Sequence, residues 1–214
     1  MSTILAVVAH PDDEIFLGAS LARFTAEGNQ VHVLALADGE TSRMDVFDLT
    51  DDNRASIALR RKRQLAAAKK LRCKVLNGPS YQDQRLDVVP VLDITRVIES
   101  AINAVKPSVV YTHSPHDLNA DHRRVYEAVL PAVRPKNGVR AVYAFEGPAM
   151  SQPFEPTAFW SVTEAQLAQQ HAALLCYGDE LTAEWTLMHA RAEVYGYRVG
   201  VPLAQGFETV RGCR

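Results

Sequence analysis

His10, Asp12, Asp13 and Glu14 stand together where an apolar run, Ile4 to Ala9, should give way from strand to helix. Imidazole nitrogen and carboxylate oxygen suit zinc at about 2.0–2.2 Å. His10 and Asp13, three residues apart across a strand end and a first helical turn, can face one cation while Asp12 points elsewhere. The plain alternative is that Asp12, Asp13 and Glu14 cap a helix and complement its dipole. A third ligand decides between the two.

That ligand has a source downstream. Val109-Val110-Tyr111-Thr112 reads as a strand, and it runs into His113-Ser114-Pro115-His116-Asp117-Leu118-Asn119-Ala120-Asp121-His122, with three histidines and two aspartates in ten residues. Polar groups at that density must be hydrated, paired or metal-bound. Strand ends of an open α/β sheet gather at one crevice, so His122 can join His10 and Asp13. Structural zinc sites close with four protein ligands, whereas three leave a position for water, the arrangement of a catalytic site. A metal there brings the pKa of water toward about 7 and polarises a carbonyl. Asp12 is placed to take the water's proton and return it to a leaving amine. His113, His116 and Asn119 are the candidates to meet the oxyanion, with His113 also counted on the substrate wall. Asp121, beside His122, can orient an imidazole, or can simply cap the helix that His122 opens.

The elements that must position these groups follow from periodicity and stop signals. Ile15 to Ala26 has helical spacing and stops at Glu27-Gly28-Asn29; Gln30 to Ala37 reads as a buried strand containing His32. Gly39 to Asp52 is polar and too long for a tight turn, as an active-site loop would be. Asp52 to Leu71 predicts a long helix, on which Arg60-Arg61-Lys62-Arg63 reads as a solvated face. Cys73 to Leu76 is a short strand and Val91 to Val105 a helix. Arg123 to Val129 is a helix ended by Leu130-Pro131, and Val139 to Phe145 is a strand. An irregular Pro- and aromatic-rich region reaches Trp160. Ser161-Val162-Thr163-Glu164 predicts a capping box for a helix running to Tyr177-Gly178-Asp179, and a last helix spans Glu180 to Val194. Alternating strands and helices predict a Rossmann-like open, mostly parallel α/β sheet with helices on both faces, as one domain over 1–214. The G-x-G-x-x-G turn of a nucleotide-binding Rossmann protein is absent after the first strand.

Composition narrows the class. A net charge of −2 and pI near 6.4 give no electrostatic case for nucleic acid or an anionic membrane. No apolar stretch approaches the roughly 18 residues of a membrane span, and no signal-peptide pattern opens the chain. Cys73, Cys176 and Cys213 are scattered and odd in number, as free thiols of a reducing compartment would be, so a cytoplasmic location is expected. Association into a homo-oligomer is left open.

The stretch Ala9 to Glu14 (AHPDDE), the strand end Thr112-His113-Ser114-Pro115 and the pair Asp121-His122 together resemble the zinc-dependent PIG-L/LmbE N-deacetylases. Tyr81 to Asp87 (YQDQRLD) is similar to the family's substrate-side loop, and Ala204 to Glu208 to its C-terminal segment. The resemblance implies His10, Asp13 and His122 as ligands of one Zn2+ (Fe2+ being the alternative metal), and Asp12 as general base. It places Arg60 and Asp83 against a sugar, with Arg85 in the same substrate-side loop. Asn119 stands where many members have His, Arg63 where an acid is common, and Gln205 where Glu is frequent. The implied activity is removal of an N-acetyl group from an amino sugar such as an N-acetylglucosamine derivative. The alternatives are hydrolysis of another acyl amide, such as an acylated antibiotic or metabolite, and a metal-dependent sugar-binding module without turnover.

Overall fold

A computed structural model describes residues 1–43, 51–178 and 182–212. The strands are β1 (Thr3–Val8), β2 (Gln30–Ala35), β3 (Lys74–Val75), β4 (Val109–His113), β5 (Ala141–Phe145), β6 (Ala158–Ser161) and β7 (Ala204–Gly212). The helices are α1 (Gly18–Ala26), α2 (Asp51–Leu71), α3 (Val91–Val105), α4 (Ala120–Ala132), α5 (Glu164–Leu174) and α6 (Thr182–Val199). The strands form one sheet in the order β3-β2-β1-β4-β5-β7-β6. β1 to β5 pair in parallel, while β7 runs antiparallel between β5 and β6. The α/β sheet with helices on both faces is thus as expected.

β1 reads as continuous apolar sequence because both its faces are covered. Leu5, Val7 and Ala9 pack with Ile94 and Ile98 of α3 and with Val125 and Val129 of α4. Ile4, Ala6 and Val8 face the opposite layer, with Leu21 of α1, Leu71 of α2 and Leu174 of α5. Each buried Val, Leu or Ile among them contributes about 1.5–3 kcal/mol. The central pair β1 and β4 is therefore held from two sides, and its C-terminal ends make a rigid platform.

Several boundaries differ from the sequence expectation. The helix after β1 begins as a tight 3-10 turn, Asp13–Leu17, and becomes α-helical only at Gly18. Gly18 lies so close to α5 that a Cβ would stand 2.9 Å from Gln170 Cγ, and the Gln170 amide donates to the Ile15 carbonyl at 2.7 Å. α4 starts earlier than expected, with Asn119 as N-cap accepting from the Asp121 N–H, and it continues past Pro131. The proline falls in the last turn, one residue before the helix ends, so the backbone hydrogen bond it removes is confined to the helix end. The capping box belongs to Thr163 and Gln166, two residues later than the Ser161-Glu164 pair suggested. β6 and β7 occupy stretches read as irregular or as a C-terminal segment, because a short edge strand and its antiparallel partner carry little periodic signal. Residues 44–50 of the proposed active-site loop, Asp179, Glu180 and Cys213 lie outside the described residues. No helix among the described residues is long and apolar enough to cross a membrane.

Candidate active site

β1 delivers His10 and the parallel neighbour β4 delivers His113, while the first turn of α4 brings His122 back to the same edge. Asp13 sits between the imidazoles. Its Oδ2 accepts the His10 N–H at 2.7 Å and lies 3.4 Å from His10 Nδ1, and its Oδ1 is 3.3 Å from His122 Nε2. The three side chains are buried, and one ligand atom of each lies within 4.8 Å of the others.

Outer carboxylates fix which nitrogen of each ring faces Asp13. His122 Nδ1 stands 2.9 Å from Asp117 Oδ2, so the ring donates there and turns the lone pair of Nε2 inward. That Nε2 has no hydrogen-bond partner. His10 Nε2 lies 3.1 Å from Asp121 Oδ2 and 2.9 Å from Asp83 Oδ1, which leaves Nδ1 toward Asp13. Asp121 also accepts the Gln84 and Leu86 N–H groups, each at 2.9 Å. Two imidazole lone pairs and one carboxylate thus converge with an orphaned buried nitrogen among them, a donor set that fits a zinc-type cation. His113 does not fit this role. Its Nε2 accepts the Ala9 N–H at 2.9 Å, and its ring stacks on that of His122 with centroids 3.9 Å apart.

The surrounding carboxylates favour positive charge on two of the three imidazoles. Burial opposes a charged His122, yet Asp13 and Asp117 outweigh it and raise the imidazole to about 9. His10 is likewise raised: burial opposes the charge, and the bonds to Asp121, Asp13 and Asp83 outweigh it. Burial and the neighbouring His122 push His113 down to about 4. Without a metal the protein therefore holds protons that a cation must displace. Metal binding near pH 7 should release at least one proton per ion, and apparent affinity should rise with pH up to about 9. Calorimetry in two buffers of different ionisation enthalpy reads this directly; no proton release would contradict it.

Asp117 was not singled out in the sequence, although a carboxylate just ahead of a helix-opening histidine is a legible signal. Asp117→Asn should weaken metal binding about 10- to 100-fold, the usual effect of losing a carboxylate behind a ligand histidine. A chelator competition titration checks it.

Asp12 faces the open side. Its backbone adopts φ 124°, a left-handed value that a non-glycine residue holds at a cost of about 1–3 kcal/mol. Its Oδ2 accepts from Arg60 Nη2 at 2.8 Å. Burial, and then repulsion from Asp13, push the carboxyl up to about 8, while Arg60 pulls it down. Arg60 is 2% exposed and also pairs with Glu40 at 3.3 Å. Arg61 donates to the Leu76 carbonyl at 2.9 Å. The basic run on α2 is therefore not simply a solvated face, because its first member turns inward to the site.

A small cleft of about 200 Å³ opens over these groups. His10, Asp12, Asp13, Arg60, Asp83, Asn119 and His122 line it together with Phe16, Ser42, Arg43, Gln84, Pro148 and Glu184. Asp121 is buried behind His10 and His113 behind His122, while Arg85 and the half-buried His116 are not among the lining residues. Ser42 donates to Asp83 Oδ2 at 2.5 Å and holds that carboxylate in place. Glu184 comes from α6, and its Oε2 is buried in the wall without a hydrogen-bond partner. Nothing in the local sequence of α6 marks Glu184, since only folding brings it to this edge.

Residues 5–133 match the family described as PIG-L, GlcNAc-PI de-N-acetylase. Among curated relatives, the uncharacterized deacetylase YaiS of Escherichia coli (strain K12) is 29% identical over 177 residues, covering 80% of this chain and 88% of the relative. The 1D-myo-inositol 2-acetamido-2-deoxy-alpha-D-glucopyranoside deacetylase of Mycolicibacterium vanbaalenii is 27% identical over 217 aligned positions, or 91% of this chain and 70% of that protein. The fold recurs among solved structures. The N,N'-diacetylchitobiose deacetylase of Pyrococcus horikoshii superposes with a TM-score of 0.73 at 20% identity, covering 99% of this chain and 84% of its own. The 4-carboxy-2-hydroxymuconate hydratase GalB of Pseudomonas putida KT2440 gives 0.77 at 22%, covering 100% and 98%.

Proposed function

This chain belongs to the PIG-L family, and from that premise we propose that it hydrolyses the N-acetyl group of an amino sugar, an N-acetylglucosamine derivative, with one zinc ion held by His10, Asp13 and His122. The observation that carries the reading is the buried, unpartnered Nε2 of His122 facing Asp13, beside an Asp12 that no ligand geometry uses. Zinc in that position supplies a Lewis acid for the amide carbonyl and acidifies a water.

The chain's own residues do the remainder. Arg60 keeps Asp12 aimed into the cleft and favours its ionised form. Asp12 takes a proton from the attacking water and delivers it to the amide nitrogen as the C–N bond breaks, so amide plus water gives acetate plus free amine. Asp117 and Asp121 hold the two imidazoles in one tautomer each. Asn119 commits its Oδ1 to the Asp121 N–H, which leaves the amide NH2 to donate to the developing oxyanion. A polyhydroxylated ligand suits the walls, because its hydroxyls supply the donor that Glu184 Oε2 lacks.

Asn119→Ser retains a capping oxygen but withdraws the NH2. It should lower kcat about 100- to 1,000-fold, whereas His116→Ala should change it less than about threefold. Steady-state kinetics of the two variants separates the candidates, and the reverse pattern would move the oxyanion role to His116.

Acetate release from a panel tests the substrate class. N-acetylglucosamine, its α-glycosides and N,N'-diacetylchitobiose are compared with N-acetylated amino acids and acylated antibiotics. Turnover confined to the non-sugar amides moves the function to the other acyl-amide hydrolysis. Sugar binding with no acetate, in zinc-loaded protein, makes the chain a binding module. The hydratase that shares the fold shows that fold alone does not decide this.

A further inference from the structure

We propose that Tyr177, acting through Glu14, is a positioning residue that sets the backbone of Asp12 and the guanidinium of Arg60 for proton transfer; the inference rests on Asp12 being the base of the proposed deacetylation. Tyr177 ends the short 3-10 turn Leu175–Tyr177 after α5, outside the segment that matches the family. It is fully buried. Its hydroxyl donates to Glu14 Oε1 at 2.5 Å, and the other Glu14 oxygen accepts the Asp12 N–H at 3.0 Å. That N–H belongs to the residue with φ 124°, a backbone that L side chains rarely adopt. Strain of this kind persists only where surrounding contacts over-determine it, and the Glu14 carboxylate, 1% exposed, is the acceptor that does so.

The Tyr177 ring has a second contact on the same assembly. Arg60 lies over it with its guanidinium carbon 5.5 Å from the ring centroid, and Arg60 donates to Asp12 Oδ2 at 2.8 Å. One side chain from the C-terminal half therefore supports both the backbone of the base, through Glu14, and its counter-ion, through the ring. A tyrosine present only to fill the core would need no hydroxyl here, since phenylalanine fills the same volume.

Tyr177→Phe is the test, made on the full chain loaded with zinc, with N,N'-diacetylchitobiose as probe. The expected result is a kcat about 10- to 100-fold lower, the scale of a displaced catalytic group, with KM within about twofold and metal content unchanged. In an Asp12→Ala background the same substitution should alter the residual rate less than about twofold, because its effect passes through Asp12. Glu14→Gln, which leaves one acceptor oxygen for two donors, should reproduce both behaviours. An unchanged kcat, an equal loss with and without Asp12, or a loss of metal overturns the proposal. A crystal structure of Tyr177→Phe is the second arm: Asp12 and Arg60 should separate beyond hydrogen-bonding distance, and an unmoved pair overturns the proposal. Wild-type protein that releases no acetate from any sugar defeats the deacetylase reading instead, and the crystal structure then judges the positioning of Asp12 by itself.

Discussion

Asp12→Ala lowers kcat for acetate release by about 100- to 10,000-fold while zinc stays bound, because the variant removes a proton carrier and leaves all three ligand side chains in place. The side chain sits beside Asp13 yet points to the cleft, where it meets Arg60 at 2.8 Å. Truncation also strips a buried guanidinium of a carboxylate partner, while its contact with Glu40 remains. Asp12→Asn separates these effects, since an amide oxygen still accepts from Arg60 but carries no proton at neutral pH. The two variants should therefore fall by similar factors. A full rate in either one means that another group moves the proton.

The second large effect lies in the metal. Zinc at about 1,000 times its dissociation constant should stabilise the wild-type fold by about 4 kcal/mol, which for a chain of this length moves Tm by about 8–16 °C. His122→Ala should abolish that shift and reduce zinc content to background, a larger loss than Asp117→Asn produces. His122 also stacks on His113, so the metal-free variant is itself less stable. The diagnostic quantity is the zinc-dependent shift within each protein, read by thermal unfolding with and without metal. A variant that keeps the full shift would remove His122 from the ligand set.

What the sequence revealed follows from the range of the interactions involved. His10, Asp13 and His122 were legible because strand ends of a parallel sheet converge, so two local clusters could be joined without coordinates. The apolar run of β1 and the periodicity of α3 were legible for the same reason: burial on a regular element leaves a periodic trace. Glu184 and Tyr177 were not, since each reaches the site across more than half the chain from a helix or turn with no local mark. In the sequence Arg60 is a member of a charged run and, by family resemblance, a sugar contact. Its burial beside Asp12 depends on how α2 is rotated against the sheet, which four consecutive basic residues do not encode. His113 looked like a substrate-facing group, but the last residue of β4 points inward, and its Nε2 is committed to the Ala9 N–H. β6 and β7 were missed because antiparallel pairing at a sheet edge depends on a partner remote in sequence.

Metal-dependent N-deacetylation in this cleft is tested by counting both products. Zinc-stripped protein and the same sample reconstituted with one equivalent of zinc are each incubated with N,N'-diacetylchitobiose and with an α-glycoside of N-acetylglucosamine, and acetate and free amine are quantified. Equal amounts of acetate and amine are expected from at least one of these sugars, only in the reconstituted sample. Equal rates with and without metal, or sugar bound with neither product released, would contradict it.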